Sequence, residues 1–254
     1  MIIFDAHFHI IDPRFPLTKN QGFLPDPFTC EDYIQRTRHL GLIGGAVVSG
    51  SFQSFDQSYL SEALTTLGPN FVGVTQLPVD YPDDKILHLH QIGVRGVRFN
   101  VHRGRSVPLD RLEHFASHVY ELAGWHVELY IDSRLLADLA PVLTRLPAVS
   151  IDHLGLSREG FPALLSLVEK GVRVKATGFG RVNLDVKEAI RSITAVNPHA
   201  LMFGTDLPST RAERPFQDAD INLIRETLGE TLAEKVLWRN AVEWYRPSGM
   251  TENE

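Results

Sequence analysis

Apolar and polar positions along this chain follow two rhythms that take turns. Short β-rich runs recur: IIFDAHF near the start, GGAVVSG at 44–50, FVGVTQL at 71–77, VRGVRFNV at 94–101, HVELYI at 126–131, VSID at 149–152, VRVKAT at 172–177 and LMFGT at 201–205. Between them, segments such as CEDYIQRTRHLG, DQSYLSEALTTLG, PLDRLEHFASHVYELAG, SRLLADLAPVLTRL, GFPALLSLVEKG and DVKEAIRSITAV carry apolar residues at helical spacing. Thr29 reads as the N-cap of the first helix, and Gly41 and Gly68 as the terminators of the first two. ETLAEKVLWRNAVEWY reads as the closing helix.

Eight strands alternating with helices imply a parallel sheet, because a parallel connection needs a crossover. With 254 residues, the pattern favours one α/β domain closed into a (β/α)8 TIM barrel over residues 1–247. No GxGxxG follows the first strand, which counts against a dinucleotide-binding sheet. The polar end, 248–254, reads as a flexible tail.

In such a barrel the chemistry gathers at the C-terminal ends of the strands. The first strand delivers His7 and His9, two residues apart and therefore on one face. Strand four delivers Arg98 and Asn100, after Gly93 and Gly96, which leave room. An arginine inside a barrel needs a carboxylate partner or an anion. Strand five sets His126, Glu128, Tyr130 and Asp132 against Val127, Leu129 and Ile131, so the polar set faces the interior. Strand six ends at His153 and strand eight at Asp206. Three imidazoles and a carboxylate thus converge from strands one, six and eight.

Composition narrows the class without changing the picture. The net charge is −6 and no basic run appears, so nucleic acid is not an expected partner. The single cysteine, Cys30, forms no internal disulfide. No apolar stretch approaches a membrane span, and the expected location is cytoplasmic.

DAHFH, IDHLG, FGTDLP and WRNAVEWY, in that order, resemble the amidohydrolase superfamily. GVRGVRFN, GWHVELY, VSIDHLG, VKATGFGRV and LMFGTDLP are most similar to its amidohydrolase-2 branch, which contains 2-pyrone-4,6-dicarboxylate lactonase and sugar-lactone hydrolases. The resemblance implies that His7, His9, His153 and Asp206 form the polar centre. It implies a substrate-carboxylate site at Arg98, with further substrate contacts at Ser51, Tyr130 and Arg181. A second arginine of that group corresponds to Arg103 or Arg105. Two positions depart from the pattern: Phe23 stands where a tyrosine is expected, and Gly180 where an aromatic hydroxyl precedes Arg181. Both remove polar contacts.

Three histidines and an aspartate would suit one Zn2+. A binuclear site in this superfamily needs a bridging lysine or glutamate from strand four and a histidine from strand five. Arg98, Asn100, Tyr130 and Asp132 stand there instead, so two metals are excluded. The expectation is that no cofactor is required; a single divalent metal would use His7, His9, His153 and Asp206.

The expected reaction is hydrolysis of an anionic, carboxylated lactone. Asp206 activates water, the three histidines donate to the carbonyl oxygen, and Arg98 with Arg181 or Arg103 holds carboxylates. The alternatives are metal-dependent non-oxidative decarboxylation and a non-catalytic small-molecule binding barrel.

Overall fold

In a computed structural model, which describes residues 1–103 and 111–250, the expected barrel is present. The strands are β1 (Ile3–Phe8), β2 (Leu42–Val48), β3 (Phe71–Thr75), β4 (Val94–Asn100), β5 (His126–Tyr130), β6 (Val149–Ile151), β7 (Arg173–Ala176) and β8 (Leu201–Phe203). They form one parallel eight-stranded sheet in sequence order. Closure occurs just beyond β8, where Asp206 N donates to His7 O at 2.7 Å and His9 N donates to Leu207 O at 2.8 Å. Asp5 reinforces the seam by accepting from Thr205 N at 2.8 Å and from the Thr205 hydroxyl at 2.6 Å. Burial raises the Asp5 carboxyl to about 6, against the pull of those donors.

The helices are α1 (Cys30–Thr37), α2 (Ser58–Leu67), α3 (Asp83–Gln91), α4 (Leu112–Ala123), α5 (Leu136–Leu143), α6 (Phe161–Glu169), α7 (Val186–Val196), α8 (Ala219–Glu234) and α9 (Asn240–Tyr245). Thr29 caps α1 as expected: its hydroxyl accepts from Asp32 N, and Asp32 returns a bond to Thr29 N at 2.8 Å. Thr29→Ala is expected to cost about 1 kcal/mol in urea denaturation. The helix ends at Thr37, before Gly41, whose φ of +70° serves the turn into β2. Two helical segments exceed the sequence expectation. The LHLH stretch within α3 imitates a strand's period of two. The closing helical segment begins at Ala219, with a bend at Gly229, well before the WRNA motif.

Two packed regions define the interior. Val127, Leu129 and Ile131 belong to the apolar layer between sheet and helices. Phe4, Ala6, Val48, Val74, Met202 and Tyr245 pack inside the barrel floor. The closing helix plugs that floor: Asn240 Nδ2 donates to Leu201 O at 2.9 Å, and the Tyr245 hydroxyl donates to Glu128 at 2.6 Å. Gly96 makes room for something other than Arg98, since a Cβ there would lie 2.6 Å from His126 Nε2.

Strand β1 departs from strict alternation. Phe4 and Ala6 face the barrel floor, while Asp5 bonds to Tyr33 of α1 and Phe8 stacks on Tyr33 at 3.8 Å. Two outward residues three apart require an extra residue between them, and the β1–β2 register shifts between Asp5 and Phe8. This bulge turns His7 inward after Ala6, and His9 then follows at the normal period.

Ser248–Met250 forms a short turn in which Gly249 N donates to Pro69 O. The rest of the expected tail, 251–254, lies outside the described residues, as does Arg105. Among the described residues, no helix is long and apolar enough to cross a membrane.

Candidate active site

The four central residues meet at the barrel mouth, and all are buried. Asp206 Oδ1 lies 3.8 Å from His7 Nε2, 3.9 Å from His9 Nε2 and 4.0 Å from His153 Nε2. These separations exceed hydrogen-bond length. Among the described residues, neither His7 Nε2 nor Asp206 Oδ1 has a hydrogen-bond partner. Unpartnered buried polar atoms are rare in folded proteins and call for an explanation, a catalytic role among them; Asp152 Oδ1 is a third such atom here. The backbone tells the same story: φ is +51° at His153, +52° at Leu154 and +57° at Asp206. Such strain at non-glycine residues costs about 1–3 kcal/mol each and clusters at functional sites.

The far side of the ring fixes the tautomer of His9 and of His7. His9 Nδ1 lies 2.6 Å from Val48 O, which can only accept. The proton therefore sits on Nδ1, and neutral His9 presents a lone pair at Nε2. His7 is reversed: its Nδ1 faces the Lys175 ammonium at 3.2 Å, which can only donate, so Nε2 carries the proton. His153 Nδ1 contacts the Thr177 hydroxyl at 2.7 Å. That hydroxyl can donate or accept, so it permits either tautomer. Burial, followed by the charges of Arg98, Arg181 and Lys175, lowers His9 to about 3. Burial and neighbouring positive charge also push His7 and His153 well below the imidazole range. The expectation that all three histidines donate toward one oxygen therefore needs correction at His9, which accepts in its neutral form.

Asp206 is pulled in two directions. Burial raises its carboxyl above the usual range, while Arg181 lowers it. Arg181 Nε donates to Asp206 Oδ2 at 3.0 Å, Nη2 grips the same oxygen, and Nη2 also reaches Thr210 O at 3.1 Å. Oδ2 is thus held while Oδ1 is left facing the histidines.

Above this centre lies a pocket whose walls include His9, Ser51, Asn100, Tyr130, His153 and Asp206, together with Arg98, Arg103, Arg181 and Arg211. All of the expected substrate contacts that are described, Ser51, Arg98, Arg103, Tyr130 and Arg181, line it. Arg98, however, is largely committed: Nε and Nη2 each lie 2.9 Å from Asp152 Oδ2, and Nη1 donates to Ser49 O at 3.0 Å. It is a wall cation in a buried ion pair, and its guanidinium also sits 5.1 Å over the Tyr130 ring. Asp132, expected beside Tyr130, instead caps the turn after β5 and pairs with Arg134.

Three participants were not singled out from sequence. Lys175, on β7, is fully buried and pairs with Glu128, which also accepts from His126 at 3.0 Å. Asp152 holds Arg98 and keeps its other oxygen 3.7 Å from both His7 Nδ1 and Lys175 Nζ. Arg211 enters from the loop after β8, its guanidinium 4.4 Å over the Phe23 ring. A lysine in the middle of a doubly buried strand is itself a sequence signal, since lysine is almost never fully buried unpaired. The loop arginine carries no comparable signal. At the second departure, Gly180 bridges to Arg214, and a Cβ at 180 would clash with the Arg214 backbone.

His7, His9 and Asp206 present ligand atoms close enough together for one metal ion, as do His7, Asp152 and His153. The donor set fits a cation poorly. A coordinating Nε2 needs a lone pair and normally gives its Nδ1–H to an acceptor. His9 meets that condition; His7, facing an ammonium, does not.

A family model described as amidohydrolase matches residues 4–246. The chain belongs to the amidohydrolase family. A curated relative, the 2-pyrone-4,6-dicarboxylate hydrolase of Comamonas testosteroni, is 30% identical over 80% of this chain and 76% of its own length. A probable 2-pyrone-4,6-dicarboxylic acid hydrolase from Acinetobacter baumannii, solved with citric acid bound, superposes with a TM-score of 0.85 at 22% identity, covering 97% of this chain and 100% of that one. A Burkholderia multivorans amidohydrolase with bound zinc superposes at 0.75 with 14% identity, over 97% of this chain and 100% of that one. At those identities the two structures support the fold alone.

Proposed function

We propose that this protein hydrolyses a carboxylated lactone without a metal. The observation that carries the reading is the orphaned Asp206 Oδ1 ringed by three imidazole Nε2 atoms beneath an arginine-lined pocket. The curated 2-pyrone-4,6-dicarboxylate hydrolase, a relative by sequence, supports the same class of substrate.

In this mechanism a water donates one hydrogen to Asp206 Oδ1 and the other to His9 Nε2. That leaves its lone pair free to attack the lactone carbonyl. Asp206 takes the proton as the C–O bond forms. The carbonyl oxygen, as it gains negative charge, accepts from His7 Nε2–H and from His153 in its Nε2–H tautomer. The ring C–O bond then breaks, and Asp206 returns the proton to the leaving oxygen, giving a hydroxy acid or its keto form. Asp206 is ionised in the starting state, held by Arg181 at Oδ2 and free at Oδ1. Arginines of the pocket wall hold the substrate carboxylates and fix the carbonyl's position.

The test is an assay of purified protein, with its metal content measured, against mono- and dicarboxylated lactones with and without chelator. Ring opening that survives chelation is expected. Release of CO2 dependent on stoichiometric metal would favour the decarboxylase reading, and tight binding without turnover would favour a binding barrel.

Arg181 supplies a second check. Its charge lowers the Asp206 carboxyl, so Arg181→Met is expected to move the acid limb of the kcat/KM profile to higher pH. KM should rise as well, because a wall cation is lost. An acid limb left in place would remove Arg181 from the control of the base.

A further inference from the structure

The pocket arginines differ in how their charge is used. Arg98 is paired with Asp152 and Arg181 with Asp206. Arg103 and Arg211 have no carboxylate partner among the described residues. Among those residues the Arg103 guanidinium reaches the Tyr130 hydroxyl, at 3.5 Å, and Arg211 reaches Asn20 O and Gln21 Oε1. Two cations on one wall repel, and that proximity lowers Arg211 below its ordinary range after the effect of burial.

Arg211 is positioned by several contacts rather than left on a loose loop. Phe23 lies beneath its guanidinium, Asn20 and Gln21 take its N–H groups, and its own backbone adopts φ +59°. Three residues on, Arg214 bridges to Gly180, where only a residue without a side chain allows the approach. The loop after β8 is thereby drawn over the pocket beside Arg181. An apolar residue at 23 and a glycine at 180 each have a use in this arrangement: one is a platform for Arg211, the other admits its loop.

We infer that Arg211 is a substrate-binding and specificity-determining residue, which with Arg103 takes a second carboxylate of the substrate remote from the scissile carbonyl. This rests on the lactonase reading for the identity of the substrate but not for the binding itself. The ligand class is a small planar dianion, one carboxylate near Arg181 and the other between Arg103 and Arg211. Arginine suits such a site because its planar fork grips a carboxylate through two N–H groups, which lysine cannot do.

The experiment is titration calorimetry of the full chain, wild type, Arg211→Gln and Arg211→Lys. The probes are isophthalate and pyridine-2,4-dicarboxylate, planar dianions with no bond to hydrolyse, and benzoate, a planar monoanion. Arg211→Gln is expected to weaken both dianions about 10- to 100-fold and the monoanion less than about threefold. Arg211→Lys should recover only part of the loss. If mono- and dianions weaken equally, or neither changes, or no dianion binds the wild type, the inference is overturned. If the dianions bind in an Arg211-dependent way but no lactone is opened, the inference stands and the lactonase reading falls.

Discussion

Asp206→Asn is expected to lower kcat by about 10²- to 10⁴-fold, the range a positioned general base supplies, while KM changes far less. Ring opening followed by loss of pyrone absorbance would measure it. Asparagine keeps the shape and still offers an oxygen to Arg181 but cannot take a proton from water. The proposed mechanism assigns the base to Asp206 among several buried carboxylates on the following geometry. Asp152 Oδ2 is held by Arg98, and its unpartnered Oδ1 faces His7 Nδ1 and the Lys175 ammonium rather than the imidazole Nε2 atoms; Glu128 is saturated by Lys175, His126 and Tyr245, and Asp5 is spent on the seam between β1 and β8. Among the described residues, only Asp206 turns a free oxygen toward all three imidazoles. Its raised carboxyl brings it nearer to neutral pH, which makes it a better proton acceptor than an ordinary aspartate. The sign for activity follows. Wild-type kcat/KM should fall on acidification as Asp206 gains its proton, at a pH above the ordinary carboxylate value of about 3.9. The residual activity of Asp206→Asn should lack that limb. A variant with near-normal kcat would sink the assignment.

The parts of this molecule that obey a period were legible from its residues. All eight strands fall where the β-rich runs lie, and Val127, Leu129 and Ile131 separate from His126, Glu128 and Tyr130 as alternation requires. His7 and His9 do share a target, and their spacing of two was enough to say so. What alternation could not show is the bulge after Asp5, which depends on β1 having to meet both Tyr33 outside and Tyr245 inside. The direction of the His9 and His7 protons was equally hidden, because it is set by Val48 O and Lys175 from other strands. Arg98 shows the same limit. Its strand and face were readable, but whether its charge would meet a substrate or Asp152 depended on a residue 54 positions away. Arg211 reaches the pocket only because one loop folds over, and no periodic pattern records that.

Lys175→Met is expected to harm stability and catalysis together, and the two effects can be separated. Removing the ammonium leaves Glu128 buried without its strongest partner, which commonly costs about 3–5 kcal/mol, read in urea denaturation. Burial alone would raise Glu128, but Lys175 and His126 outweigh it and bring it to about 2. A carboxyl held that low adds stability that is complete above its unfolded value, about 4.3, and is lost as pH falls through the folded one. Without Lys175 the burial effect dominates and the sign reverses, so the variant's deficit should shrink on acidification. The catalytic effect has a different origin. Lys175 holds His7 as the Nε2–H donor; methionine frees Nδ1 to take the proton and turn toward Asp152 Oδ1, 3.7 Å away. One lost donor to a developing oxyanion is worth about 10²–10³ in kcat. Lys175→Met combined with Glu128→Gln removes both buried charges, so most of the stability should return. The kcat deficit should persist, with His7 Nε2 losing its protonated signature in imidazole ¹⁵N spectra. Full recovery of kcat in the double variant would make Lys175 a structural partner of Glu128 and nothing more.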